Sequence, residues 1–406
     1  MLMTEKRHDG RGVQMTDQDG RGVLAGVREL LPVLRERAQE TEDARRIPDE
    51  SIKSLQETGF FKLLQPKTFG GYEADPVTFY TAVKLLASAC GSTGWVASIL
   101  GVHPWHLGLF EPQAQQDVWG EDVDVRISSS YAPMGKATVV DGGYRLTGRW
   151  SFSSGCDHAT WVFLGAPAFD AEGRPVDFCT YLLPISDYRI EDVWDTVGLS
   201  GTGSNDIIVE DAFVPAHRAL SFQATSKCRT PGQRINPGPL FKLPYGSVHP
   251  STITAPIIGM AQGAYEAHVE HQRNRVRAAY MGEQSKEDPF AKVRVAEAAS
   301  EIDAAWLQLT RNIDELYQLA CRGEKLPFAT RLRVRRDQVR GTERAIAAVD
   351  RLFENSGGRA LKRGTPIQRF WRDAHAGRVH AANDPERAYI MYGNGEFGVP
   401  VENAMV

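Results

Sequence analysis

Two short segments concentrate the side chains that could do chemistry. Gly91-Ser92-Thr93-Gly94-Trp95 is followed by His103 and His106. Ser128-Ser129-Ser130-Tyr131 is followed by Trp150-Ser151-Phe152-Ser153-Ser154-Gly155. Aromatic faces stack on flat rings and hydroxyls reach ring nitrogens and carbonyls, so together these residues suit a planar heterocycle. Imidazole titrates near working pH and can take a proton from a bound hydroxyl. Plainer readings stand beside this one. Serines ahead of a strand also form solvated turns, Trp150 also suits a core, and a lone histidine also caps or lines a helix. Other chemistries lack their residues. There is no Walker A loop and no G-x-S-x-G elbow, and Gly201-Thr202-Gly203 lacks both the third glycine and the βαβ setting of a dinucleotide fold. No carboxylate pair or His/Cys cluster has metal-ligand spacing, so no metal is expected.

The elements that must position these residues fall into three stretches. In the first, Val27, Leu30, Leu31 and Leu34 recur at helical spacing, Pro48-Asp49 opens a helix that Gly59 closes, and Val77 to Cys90 is helical. From Arg126 to about Leu220 the sequence favours strands, with a hairpin signal at Val139-Val140, Asp141-Gly142-Gly143 and Tyr144-Arg145-Leu146. Thr160 to Leu164, Thr180 to Leu183 and Ile207 to Val209 add further strands, and the Pro- and Gly-rich stretch 222–250 reads as a linker. Beyond Thr252, Ile302, Trp306, Leu309, Ile313, Leu316 and Ala320 draw one apolar helical stripe, and Leu332, Val339, Ile346, Val349 and Phe353 draw a second. Helical stretches near 253–280 and 366–382 would complete a four-helix bundle. The expected division is a flexible tail over 1–19, a helical domain over 20–125, a β domain over 126–233 and a helical bundle over 234–406.

Composition narrows the function classes. The 406 residues carry 47 Lys and Arg against 51 Asp and Glu, a net charge of -4, which gives no electrostatic reason to bind nucleic acid or an anionic membrane. No apolar run approaches the ~18 residues that span a bilayer. The N-terminal stretch is polar and lacks the apolar core of a signal peptide. Five cysteines, odd in number and widely spread, read as reduced thiols, so a cytoplasmic enzyme is expected.

Longer segments carry a resemblance. Gly59-Phe60-Phe61-Lys62-Leu63-Leu64-Gln65-Pro66 with Gly70-Gly71, then Trp150-Ser151-Phe152-Ser153, then Val197 to Ser204 with Val214-Pro215, resemble the acyl-CoA dehydrogenase superfamily. That implies a mostly α fold with a central β domain: an N-terminal helical domain, a middle β domain and a C-terminal four-helix bundle, assembled as a homotetramer. The Trp95–His103 spacing, the W-x-F-S element and the late His380 resemble one branch, the two-component flavin-dependent monooxygenases. Arg126 to Gly135, Ser153 to His158, Ile367 to Gly377 and His380 to Arg387 are similar to members of that branch that act on a steroid-derived phenol. The dehydrogenases are the alternative, but where their catalytic glutamate follows an Arg-Asp pair, counting from Arg372-Asp373 reaches Ala381, beside His380.

This resemblance implies an oxygenase component that ortho-hydroxylates a phenol through a C4a-hydroperoxyflavin. The phenol would be the A ring of a 9,10-secosteroid, 3-HSA going to the catechol 3,4-DHSA, or alternatively a smaller one such as 4-hydroxyphenylacetate. It takes reduced FMN, or reduced FAD, together with O2, and the flavin comes from a separate NADH-dependent reductase. Carried over by position, the flavin site comprises Trp95, Ser129, Ser130, Tyr131, Phe152, Ser153 and Ser154, with Arg275 at the phosphate end across a subunit boundary. Gly358 and Arg359 form a loop of close backbone approach, and His380 and Ala381 lie beside the ring system. Three residues are implied in catalysis: His103 as base toward the phenol, Ser153 on flavin N5, and His380 at the peroxide.

Overall fold

The computed structural model describes residues 18–277 and 282–401, so most of the expected tail and residues 278–280 of the expected first bundle helix lie outside the described residues. Six helices come first: α1 (Gln18–Glu36), α2 (Ala38–Asp43), α3 (Asp49–Glu57), α4 (Pro76–Ala89), α5 (Gly91–Leu107) and α6 (Pro112–Trp119). Their ends follow from local chemistry. Asp75 caps α4 by accepting the amide of Val77 at 2.8 Å, with Pro76 filling a position that needs no donor. Gly59 closes the turn after α3 in the left-handed region, at φ 80°. Every residue of α5 is buried, and the helix is apolar all round, as an interior helix should be.

Strands follow: β1 (Ile127–Ser130), β2 (Gly135–Val140), β3 (Gly143–Ser153), β4 (Trp161–Phe169), β5 (Pro175–Pro184), β6 (Arg189–Glu191), β7 (Asn205–Pro215) and β8 (Ala219–Ser221). They form one sheet in the order β6-β7-β3-β2-β4-β5-β8, with β1 parallel to β4. The hairpin between β2 and β3 turns on Asp141 and Gly142, with Val140 paired to Gly143 and Gly142 at φ 73°. Trp150 belongs to the sheet core. Its indole N–H donates to the Gly165 carbonyl at 2.8 Å, and its ring lies where a Cβ on Gly135 would stand, 1.9 Å away.

The stretch 222–250 is not a linker. It holds α7 (Phe222–Ser226), two single 3-10 turns, and the start of α8 (Tyr245–Asn274), which begins well before Thr252. Prolines within the helix disguised it. Pro256 lacks an N–H, which leaves the carbonyl of Thr252 without its helical donor, and Ser98 of α5 donates to that oxygen at 2.6 Å. A two-stranded ribbon, β9 (Val276–Arg277) with β10 (Glu283–Gln284), precedes α9 (Pro289–Cys321), α10 (Phe328–Ser356), α11 (Pro366–Arg378) and α12 (Pro385–Glu396). Both apolar stripes read from the sequence lie on α9 and α10, and most of their residues join the core that buries α4, α5 and α8, whereas Leu332 and Val339 of the second pack with Ala388 and Met391 of α12. Thus α5, β1, the end of β3, α8 and the turn after α11 converge on one region.

Candidate active site

Helix α5 supplies Trp95, His103 and His106. His103 to His106 is an i, i+3 step, so the two imidazoles are neighbours, whereas Trp95 lies about 12 Å back along the axis. Nδ1 of His103 lies 2.5 Å from the carbonyl oxygen of Ile127 in β1. A carbonyl can only accept, so Nδ1 carries the proton and Nε2 carries the lone pair. That Nε2 is buried and has no hydrogen-bond partner. Burial pushes the imidazole pKa down to about 4, so at neutral pH His103 is an uncharged acceptor. The ring of Phe163 stands edge-on to it at 5.5 Å.

Tyr131, just beyond β1, donates or accepts through its hydroxyl to His106 Nδ1 at 2.8 Å. Burial pushes the Tyr131 phenol well above its usual range, and burial together with His103 pushes His106 down to about 3. The serines divide by partner. Ser130 donates to the Ser151 carbonyl at 2.7 Å, and Ser129 is buried within β1. Ser154 accepts from the Trp95 indole at 3.1 Å and meets Ser204 at 2.8 Å, so its hydroxyl serves the protein's own framework. Ser153, like Ser128 of β1, has a buried hydroxyl with no partner. Between Trp150 and Ser153 the strand pairing slips, Phe152 sits at φ 69°, and its side chain is 65% exposed. A non-glycine residue in the left-handed region is strained, and such strain gathers at functional sites.

At the other end, the ring of His380 meets Trp95 edge-on at 6.0 Å. Its Nδ1 accepts the amide of Ala382 at 3.1 Å, so the proton is on Nε2, which faces away from the turn as a donor. Desolvation and the charge of Arg335 push its pKa down to about 4. Asn383 locks this turn. Its Oδ1 accepts from Gln338 at 2.8 Å and Thr342 at 3.1 Å, and its Nδ2 donates to the Gly377 carbonyl at 2.9 Å. Ala381 is exposed and brings no functional group.

Trp95 thus meets Ser154 and His380 at one end, and His103 meets Ile127 and Tyr131 at the other, while the Ser130–Ser151 bond joins β1 to the end of β3 that carries Phe152 and Ser153. Arg275, Gly358 and Arg359 are not among them. Arg275 follows the far end of α8, about 39 Å along that helix from its first turns. There it donates to the Asn355 carbonyl at 2.7 Å, and burial together with Arg277 and Arg359 holds its pKa down. A Cβ on Gly357 would fall 2.2 Å from the Arg275 guanidinium, while a Cβ on Gly358 would meet no protein atom within 4 Å. The sequence reading also missed His249, Tyr245 and Arg335. His249 stacks on Tyr245 at 5.0 Å and meets Tyr131 edge-on at 5.1 Å, and its buried Nδ1 has no partner. Among the described residues, no group of His, Cys, Asp or Glu could hold a metal ion, and no helix is long and apolar enough to cross a membrane.

An acyl-CoA dehydrogenase N-terminal domain model matches residues 23–120, and an acyl-CoA dehydrogenase C-terminal domain model matches residues 251–385. The oxygenase subunit HsaA of a flavin-dependent monooxygenase from Rhodococcus jostii is 67% identical over 377 residues, covering 93% of this chain and 98% of that protein. The chain belongs to the flavin-dependent monooxygenases of the acyl-CoA dehydrogenase superfamily. Among solved structures in this fold, the 3-HSA hydroxylase from Rhodococcus sp. RHA1 matches with a TM-score of 0.93 at 65% identity, over 96% of this chain and 100% of that one. XiaF from Streptomyces, solved with FADH2 and glycerol, matches with a TM-score of 0.89 at 28% identity, over 96% and 98%. Like other monooxygenases of this family, the chain is a flavin-using enzyme, and as an oxygenase subunit it works with a separate reductase. The site fits a flavin: the free Ser153 hydroxyl, the Trp95 ring and the exposed Phe152 offer a polar edge and aromatic faces to a planar heterocycle.

Proposed function

We propose that this chain is the oxygenase that ortho-hydroxylates the phenolic A ring of 3-HSA to the catechol 3,4-DHSA, as a cytoplasmic homotetramer supplied by an NADH-dependent flavin reductase. The observation that carries the reading is His103: a neutral imidazole whose free Nε2 lies buried among aromatic rings. Trp95, Phe152 and Ser153 would hold the flavin ring system, reduced FMN or reduced FAD, with His380 at its edge. Bound reduced flavin supplies, with O2, the electrophilic oxygen that the phenol ring captures.

Each protein group then has a proton task. His103 Nε2 accepts the phenol hydroxyl and orients it. A free phenol has a pKa near 10, far above this imidazole. A ring that has given up electron density at its ortho carbon holds its hydroxyl proton much less tightly, and a base of pKa about 4 then suffices to take it. Timing the transfer this way avoids placing a bare phenolate in a buried site. His380 donates from Nε2 toward the oxygen-delivering side, and Ser153 offers its free hydroxyl to the flavin's polar edge. Arg275, too far along α8 to reach the same chain's ring site, would serve the phosphate of a flavin bound by a neighbouring subunit; this supports the tetramer.

Purified protein given NADH and 3-HSA should form nothing. Adding a reductase with FMN or FAD should yield the catechol, carrying one 18O atom from 18O2 by mass spectrometry. NADH oxidation by this chain alone, or no catechol under a steady supply of reduced flavin, overturns the reading.

A further inference from the structure

His249 stands where no sequence signal pointed, and its environment asks for a ligand. It lies in the second turn of α8, just ahead of Pro250, and is 8% exposed. Its Nδ1 is buried without a hydrogen-bond partner. A buried polar atom left unpaired is costly, and native proteins keep few of them, mostly where something else binds. Packing holds the ring in place: Tyr245 stacks on it at an interplanar angle of 21°, and Tyr131 meets it at 82°. The titratable groups that face it come from both ends of the site. Burial, then His380, His103, His106 and Arg335 all lower its basicity, so it too is neutral at working pH. His249 therefore borders the phenol end through Tyr131, which also meets His103 at 6.2 Å, and His380 of the other end is near enough to act on its titration.

We propose that His249 is the hydrogen-bonding partner of the newly installed hydroxyl, and so a residue that distinguishes the catechol product from the phenol substrate. This inference rests on the ortho-hydroxylase reading. Ortho-hydroxylation adds an oxygen to the ring carbon next to the one that bears the original hydroxyl. With the original hydroxyl on His103 and oxygen arriving from the His380 side, the new group emerges between the two, where His249 offers its unpaired Nδ1. A neutral imidazole can accept the new O–H through its lone pair or donate to the new oxygen through its N–H, so the pairing needs no change of charge. The phenol has no oxygen at that position and leaves Nδ1 unsatisfied; the catechol satisfies it. His249 thereby favours the product-side arrangement of the ring over the substrate-side one.

The test compares binding of 3-HSA and 3,4-DHSA to flavin-free wild type, His249→Phe and His249→Asn by anaerobic calorimetry. Phenylalanine keeps the stacking surface and removes the hydrogen bond, whereas the asparagine amide reaches about the place of Nδ1. In His249→Phe, catechol affinity should fall about tenfold while phenol affinity stays within twofold, and His249→Asn should recover most of the loss. An equal loss for both ligands, or no loss for either, overturns the inference while the hydroxylase reading stands. A catechol-selective loss that asparagine does not restore assigns it to ring packing and also overturns the inference. Wild-type protein that binds neither compound overturns the inference, and the hydroxylase reading falls with it only where the same protein also forms no catechol under a steady supply of reduced flavin.

Discussion

His103 and His380 are both imidazoles kept neutral by their surroundings, with pKa values pushed down to about 4. They nevertheless present opposite faces to a ligand. At His103 the partner of Nδ1 is a carbonyl, that of Ile127, which forces the proton onto Nδ1 and leaves Nε2 as an acceptor. At His380 the partner of Nδ1 is an amide N–H, that of Ala382, which claims the lone pair and leaves Nε2–H as a donor. The supports also differ. A packed helix and a parallel strand hold His103 on regular structure, while a 3-10 turn clamped by Asn383 holds His380. Which backbone group meets Nδ1 thus decides whether a histidine takes a proton or offers one.

The largest test of this contrast is at the accepting end. His103→Ala should lower the rate of catechol formation by roughly 10²–10⁴-fold, the usual worth of a positioned base. Oxygen uptake should continue, with hydrogen peroxide appearing in place of product. Unchanged coupling between oxygen uptake and catechol would return His103 to a packing role. The donating end should show a smaller and earlier defect. A neutral N–H donor contributes about 0.5–1.5 kcal/mol, so His380→Ala should slow the reaction of bound reduced flavin with O2 by roughly two- to twelvefold. That loss should be visible in stopped flow before any phenol is added. His380→Gln, whose amide N–H reaches about the place of Nε2, should recover part of it. A defect in His380→Ala that appears only once phenol is present would merge the two ends into one.

Much of this arrangement was legible in the sequence, for definable reasons. The bundle stripes on α9 and α10 and the β2–β3 hairpin follow from periodicity and turn chemistry, which are local properties. Trp95, His103, Ser153 and His380 were legible because their types and spacing carry a resemblance. What was not legible depends on contacts between distant elements. Resemblance set Ser153 apart from Ser154, but residue type alone does not reveal that the first hydroxyl is free and the second bonded to Trp95 and Ser204. The tautomers depend on Ile127 and Ala382, and backbone groups have no signature in residue type. His249 was hidden because Pro244 and Pro250 made the start of a helix read as a linker.

The two adjacent serines sharpen the comparison at a smaller scale. Ser154→Ala removes the acceptor from a buried indole N–H and should cost about 1–3 kcal/mol of stability, seen as a lower midpoint in denaturant with flavin absent. Ser153→Ala removes a hydroxyl that has no partner in the protein, so stability should be unchanged or slightly raised. Its loss should appear only with flavin present, as weaker binding by several-fold in a titration under anaerobic conditions. The reverse pattern, with Ser153 structural and Ser154 flavin-sensitive, would exchange their assignments.

The smallest expected effect is an absence of change with pH, and it tests both histidines together. The neutral form is the working form at each end, so activity falls only as protons are added. An imidazole at its ordinary pKa near 6.5 would lose half its base there. With both values pushed to about 4, kcat/KM should be flat from pH 8 to pH 6 and decline only on approach to that lower value. Stability changes over the same range and must be separated from this. The unfolded chain binds more protons than the folded one between about pH 6.5 and 4 at these histidines, so their contribution is full above that window and is lost as pH falls through it. Asp373 acts in the opposite sense. Burial raises its carboxyl to about 6, so the folded state keeps a proton that the unfolded chain has released, and its contribution weakens as pH rises from about 3.8 to 6. Circular dichroism at each pH identifies the range in which the protein is still folded. Within that range, an acid limb centred near 6.5 would mean that the working base is exposed to water rather than buried beside Phe163, and the contrast between the two histidines would fail at its accepting end.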